Sequence, residues 1–228
     1  MEKVYIHETN TDRYLRGIVG RLGISKNAQV LNLACEKKLI PDFLQGTIDN
    51  NNVRGVDLDK KVVDGTKVLS CDVDREPLPF NDGSFDLVVS VWGFEHFAST
   101  RVLREANRVL KSGGILIFVT PNILSPLFAL KRILGHRFTR WYYRRVLRSP
   151  YQPHATHYRL NRVRAIKYAL PADLHFQTAV YLGPAHALYY ANFSPLLQRF
   201  MSGVDRMFLT NPLLGWKKPY LVGVLIKQ

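Results

Sequence analysis

Five short runs constrain what this chain can become. Residues 30–34 (VLNLA), 53–56 (VRGV), 68–71 (VLSC), 85–91 (FDLVVSV) and 115–120 (ILIFVT) are rich in Val, Ile and Leu and do not alternate with polar residues. Strands of that kind are buried on both faces, as in a parallel sheet covered by helices on each side. Helical segments lie between them. The clearest is residues 100–110, where Val102, Leu103, Ala106, Val109 and Leu110 share one stripe and Ser112-Gly113-Gly114 stops it. Two later runs, 176–182 and 220–226, complete a strand set that alternates with helices. The expectation is a doubly wound α/β sheet forming a single domain over residues 1–228.

Two segments, residues 121–156 and 183–219, do not fit the alternation and read as helical insertions after the fifth and sixth strands. Charge separates them from the rest. Residues 1–105 hold 14 Lys/Arg against 16 Asp/Glu, net −2, whereas residues 106–228 hold 18 against two, net +16. No acid occurs between Ala106 and Ala172. A field that one-sided meets an anionic partner or forms a solvated basic face. Cys35 and Cys71 are too few for a disulfide framework or a zinc site, so no metal is expected. No run is long enough to span a membrane and no signal peptide opens the chain, which together point to the cytoplasm.

In an open parallel sheet, ligands bind beyond the carboxyl ends of the strands, where strand order reverses. Candidate site residues are therefore those after the first four runs. Asp57 closes the second run about twenty residues beyond the first loop, and its two oxygens match a ribose cis-diol; Leu58 follows it. Asp72 can accept from an adenine amine beside the Val73 amide, or simply cap a turn. Ser90 lies at the end of the fourth run and Trp92 follows it, with Trp92 either walling a pocket or filling core. His96, one turn on, is the candidate proton acceptor, weighed against a packed histidine, and His154 and His157 are weaker candidates.

The run CDVDREPLPFNDGSFDLVVSVWGFEHF, followed by LREANRVLKSGGILIFVTPN, resembles the core of class I S-adenosylmethionine-dependent methyltransferases acting on metabolites, lipids and sugars. The resemblance spans about residues 29–122. It implies a Rossmann-like, mostly parallel seven-stranded sheet with an antiparallel last strand, and residues 1–120 as the cofactor-binding half. It also implies an acid and three glycines in the first loop. Here Asn32 replaces the acid, while Ala34, Glu36 and Lys38 replace the glycines, with Cys35 between. Glu36 brings a Cβ and a charge that repels a methionine carboxylate, which Lys37 or Lys38 can partly offset. Either the loop binds S-adenosylmethionine through altered contacts, or the chain is a non-methylating partner protein on the same fold.

The insertions cap whatever the sheet binds. Residues 127–148 carry seven Lys/Arg, no acid, and Leu127, Leu130, Leu134, Phe138 and Trp141 at helical spacing, with Gly135 as a break. Such a helix settles on an anionic bilayer or packs as a plain cap. Arginines interleaved with Trp141, Tyr142 and Tyr143 also suit RNA, but the apolar content exceeds what phosphate contacts require. The expected partner is a small or amphiphilic acceptor, with the chain peripheral at the inner membrane surface.

Overall fold

The computed structural model describes residues 3–6, 11–36, 38–58, 66–146, 155–183 and 194–228. The five diagnostic runs form parallel strands: β2 (Val30–Leu33), β3 (Val53–Asp57), β4 (Val68–Ser70), β5 (Phe85–Val91) and β6 (Leu110–Pro121). Strands β7 (Leu174–Leu182) and β8 (Tyr220–Lys227) complete the expected seven, and β8 runs antiparallel to both β6 and β7. An eighth strand that the sequence did not reveal, β1 (Lys3–Ile6), pairs parallel with β7. The order across the sheet is β1-β7-β8-β6-β5-β2-β3-β4. The chain leaves β2 toward β3 and β4, then returns to β5 on the other side of β2. That reversal is the switch point.

Side chains alternate between two apolar layers, as a pleat requires. Leu116 and Phe118 of β6 face one layer, built with helices α2 (Arg101–Val109) and α4 (Val163–Ala169). Ile117 and Val119 face the other, with α1 (Thr11–Arg21) and the 3₁₀ turn that holds Phe43 and Leu44. Both layers are built of buried apolar side chains, which explains why the strands read as continuous apolar runs. Phe118 stacks on Phe94 at 4.5 Å between centroids, and opposite it stands Gly223, where a Cβ would lie 2.3 Å from the Phe118 ring. A glycine there makes room for an aromatic one strand away.

Both insertions contain the expected helices, α3 (Pro126–Arg145) and α5 (Pro195–Thr210), and both are rooted at the carboxyl edge of the sheet. Pro121 at the end of β6 and Leu182 at the end of β7 each pair with Tyr220 at the start of β8. Fully buried Asn122 ties the roots together. Its Nδ2 donates to Trp216 O and Lys218 O, each at 2.8 Å, its own N–H donates to Pro219 O, and its Oδ1 accepts from Leu124 N.

Candidate functional site

Beyond the carboxyl ends of β2 to β5 lies a cleft of about 410 Å³, a size typical of small-molecule sites. Its floor and walls are set by what each strand does as it ends. β2 stops at Leu33 because Ala34 turns to φ 56, and Glu36 follows at φ 45. Both are left-handed conformations that cost a non-glycine residue about 1–2 kcal/mol. The loop therefore makes a glycine-type turn without glycine. Hydrogen bonds hold it there: Ala34 N–H and Cys35 N–H donate to Val56 O at 3.0 and 3.3 Å, and Glu36 N–H donates to Asp57 Oδ2 at 2.8 Å. Glu36 stands exposed at the cleft wall and leaves the cleft open.

Of the residues expected to face a cofactor, Ala34, Glu36, Asp57, Leu58, Asp72, Val73 and Trp92 line this cleft. Asn32, Cys35 and Ser90 do not; they lie buried behind its wall. Asn32 Nδ2 donates to Lys38 O and Leu39 O, both at 3.0 Å, a double donation that a carboxylate could not make. The amide in place of an acid thus closes the loop from beneath. Ser90 Oγ donates to Leu33 O at 3.1 Å, and Cys35 Sγ fills the space beside Gly55. Lys38, a candidate for offsetting the charge of Glu36, is ion-paired to Asp42 instead. Lys37 and His154 lie outside the described residues.

Asp72 lines the cleft and also shapes its own turn. Its carboxylate accepts from Asp74 N at 3.2 Å and meets Arg75 Nε at 3.5 Å, while Asp72 N–H donates to Glu76 Oε1 at 2.8 Å. Two contributors escaped sequence reasoning. Asp74 clamps the segment before α2, accepting from Ala98 N at 2.7 Å and from Ser99 N and Oγ at 2.8 and 2.6 Å. Gly93 abuts the first loop so closely that a Cβ would lie 2.9 Å from Ala34 Cβ and 2.5 Å from Ser90 Oγ. The only sequence signal for either is its position at a strand's carboxyl end.

On the far wall, half-buried His96 places Nδ1 2.7 Å from Ala155 O. A carbonyl has no proton to give, so Nδ1 carries it and the basic lone pair belongs to Nε2. His157 shares this wall, held by its N–H to Glu95 O at 2.7 Å. Trp92 (φ 61) meets Tyr220 edge-on at 4.6 Å, and Tyr220 lies 6.0 Å from Phe128 of α3, so aromatic contacts carry the cleft wall into the cap. Among the described residues no cluster of His, Cys, Asp and Glu is arranged to hold a metal ion.

The cap changes character at Gly135, where φ 75 and ψ 175 break α3. Phe128 before the break is buried, whereas Phe138 and Trp141 after it are 39% and 52% exposed. Arg137, Arg144 and Arg145 line a shallow groove beside Trp141. On α5, Leu196, Phe200 and Met207 are 80%, 65% and 51% exposed, next to Arg199. No described helix is long and apolar enough to cross a membrane.

With this geometry the similarities to known proteins fall into place. Residues 31–118 match the family described as "Methyltransferase domain". The chain is 32% identical over 100 residues to demethylmenaquinone methyltransferase of Thermotoga maritima, covering 40% of this chain and 42% of that protein. It is 46% identical over 72 residues to sarcosine/dimethylglycine N-methyltransferase of Halorhodospira halochloris, covering 31% and 23%. The curated relatives it matches are thus spanned over less than half of their length. Geranyl diphosphate C-methyltransferase from Streptomyces coelicolor superposes with a TM-score of 0.59 at 13% identity, over 95% of this chain and 78% of that one, a likeness of fold. The match over residues 31–118, the strand order and the superposition agree on one conclusion: the chain has the fold of class I S-adenosylmethionine-dependent methyltransferases.

Proposed function

We propose that this protein transfers a methyl group from S-adenosylmethionine to a small amphiphilic acceptor, lipid-linked or sugar-bearing. The observation that carries the reading is the open cleft at the switch point, kept in shape by left-handed Ala34 and Glu36 although the glycines are gone. Asp57 at the end of β3 is suited to a ribose diol, and Asp72 with Val73 to the adenine edge. The bound cosubstrate would supply an electrophilic methyl on its sulfonium sulfur. The chain's own work is to align the acceptor, exclude water and take up a proton where the acceptor is a hydroxyl. His96 Nε2 is the proton acceptor in this scheme, with Ala155 O holding the required tautomer. Calorimetric titration should give micromolar dissociation constants for S-adenosylmethionine and its demethylated product. No heat from either at millimolar concentration would reject methyl transfer in favour of a non-methylating role.

The acceptor class follows from the cap. Exposed Trp141, Phe138, Phe200 and Leu196 stand beside arginines on helices rooted at the rim of the cleft, in the half of the chain that carries net +16. Such faces suit the anionic cytoplasmic side of a membrane, where each engaged Lys or Arg contributes about 1 kcal/mol. The protein should float with vesicles containing phosphatidylglycerol and not with phosphatidylcholine alone, and Phe138→Ser with Trp141→Ser should reduce flotation at least severalfold. Salt-steep binding to RNA without flotation would replace the membrane with nucleic acid as the anionic partner.

A further inference from the structure

The charge lining the cleft is lopsided. Among the described residues its walls carry the carboxylates of Glu36, Asp57, Asp72 and Asp74 and one guanidinium, Arg75, which is 87% exposed and bound to Asp72. Lys38 is ion-paired with Asp42. The Glu36 amide donates to Asp57 Oδ2 at 2.8 Å and is engaged within the loop. The backbone donor and the neighbouring cation Lys38 that could answer a ligand carboxylate are therefore both engaged.

Building on the methyl-transfer reading, we propose that Glu36 makes the amino-acid end of the cleft cation-selective, so that affinity there follows the ligand's net charge. S-Adenosylmethionine has a sulfonium and a zwitterionic tail, net +1; its thioether product keeps the tail but is neutral overall. The decarboxylated sulfonium amine is net +2. A carboxylate at the wall attracts these in the order decarboxylated sulfonium, S-adenosylmethionine, thioether. Each step of one charge at this solvent-exposed wall is expected to change affinity about three- to tenfold. The consequence for turnover is that methyl transfer removes the charge that held the cosubstrate, and product leaves readily.

The experiment is calorimetric titration of the full chain and of Glu36→Gln with all three ligands at pH 8, where unperturbed histidines are neutral. Glutamine preserves the shape of an exposed side chain, and a melting curve confirms that the variant folds. Wild type should rank the ligands by charge. In Glu36→Gln the preference for S-adenosylmethionine over the thioether should shrink about three- to tenfold, through weaker S-adenosylmethionine binding with thioether affinity held within about twofold. High salt should narrow the wild-type gap in the same direction. Equal or tighter wild-type binding of the thioether, or a ratio unmoved by the substitution, would overturn the selector while leaving methyl transfer standing. Absence of heat with every ligand would overturn both.

Discussion

Asp57→Ala should weaken S-adenosylmethionine binding about 30- to 100-fold. The carboxylate ends β3 at the cleft wall and has two oxygens to offer, and hydrogen bonds to a charged acceptor contribute about 1.5–3 kcal/mol each. Losing two to a ribose diol would exceed the expected range, but water entering the shortened site recovers part of the loss. A second effect adds to the first: Asp57 Oδ2 anchors Glu36 N–H, so alanine also releases the left-handed loop. The two are separable with 2′-deoxyadenosine and adenosine as probes. If Asp57 holds the diol, wild type prefers adenosine and the variant loses that preference. If Asp57 serves only the loop, both nucleosides weaken together. Affinity for S-adenosylmethionine within twofold of wild type would remove Asp57 from the ligand site altogether.

The core of the fold was legible because of how its strands are buried. β2 to β6 are covered on both faces, so their apolar runs stand out against the helices, and α2 shows its stripe for the same reason. β1 escaped notice since four residues, KVYI, are too few to show any period. The start of β6 at Leu110 was hidden by Ser112-Gly113-Gly114, which reads as a stop although the strand runs through it.

The candidate site was legible only where position alone decides. Asp57, Asp72, Trp92 and His96 follow strand ends at a switch point, and each lines the cleft. Asn32 lies behind the cleft wall because a side chain near the end of β2 can point either to the cleft or back beneath the turn, and its amide donates to the two carbonyls of Lys38 and Leu39. The roles of Asp74 and Gly93 depend on partners brought together by folding: Ala98 and Ser99 for one, Ala34 for the other. No local spacing encodes such contacts. The left-handed turn at Glu36 was equally hidden, since residue type argues against it and only the hydrogen bonds to Val56 and Asp57 enforce it.

The second large effect concerns why the LPF and LREANR stretches occur together. Arg108 Nη1 donates to Phe80 O at 2.8 Å and to Asp82 Oδ1 at 2.7 Å, and Nη2 donates to Leu78 O at 3.0 Å and to Glu105 Oε2 at 2.8 Å. Glu105 in turn accepts from Leu78 N–H at 2.8 Å. One guanidinium thus ties α2 to the loop that feeds β5, with Leu78 buried beneath and Phe80 edge-on to Phe85 at 5.0 Å. Arg108→Ala leaves the largely buried Glu105 carboxylate without its ion-pair partner, takes the guanidinium donor from Phe80 O, and leaves Leu78 O with only the Phe80 amide. The expected loss is about 3 kcal/mol, a fall in Tm of about 6–12 °C for a chain of this size. Lysine, a single ammonium without the planar fork, should recover only part of it. Acidity supplies the internal check. Burial by itself would raise the Glu105 carboxyl, but the Arg108 guanidinium and the Leu78 amide outweigh it and hold it below the ordinary glutamate value of about 4.3. A depressed carboxyl stabilises the fold above that value and loses its contribution as pH falls through the folded pKa. Melting temperatures of wild type and Arg108→Ala should therefore converge as the solution is taken from pH 7 toward pH 4 and below, because a protonated Glu105 no longer needs a cation. A gap that stays constant with pH would mean that the carbonyl contacts, and not the ion pair, are what Arg108 contributes.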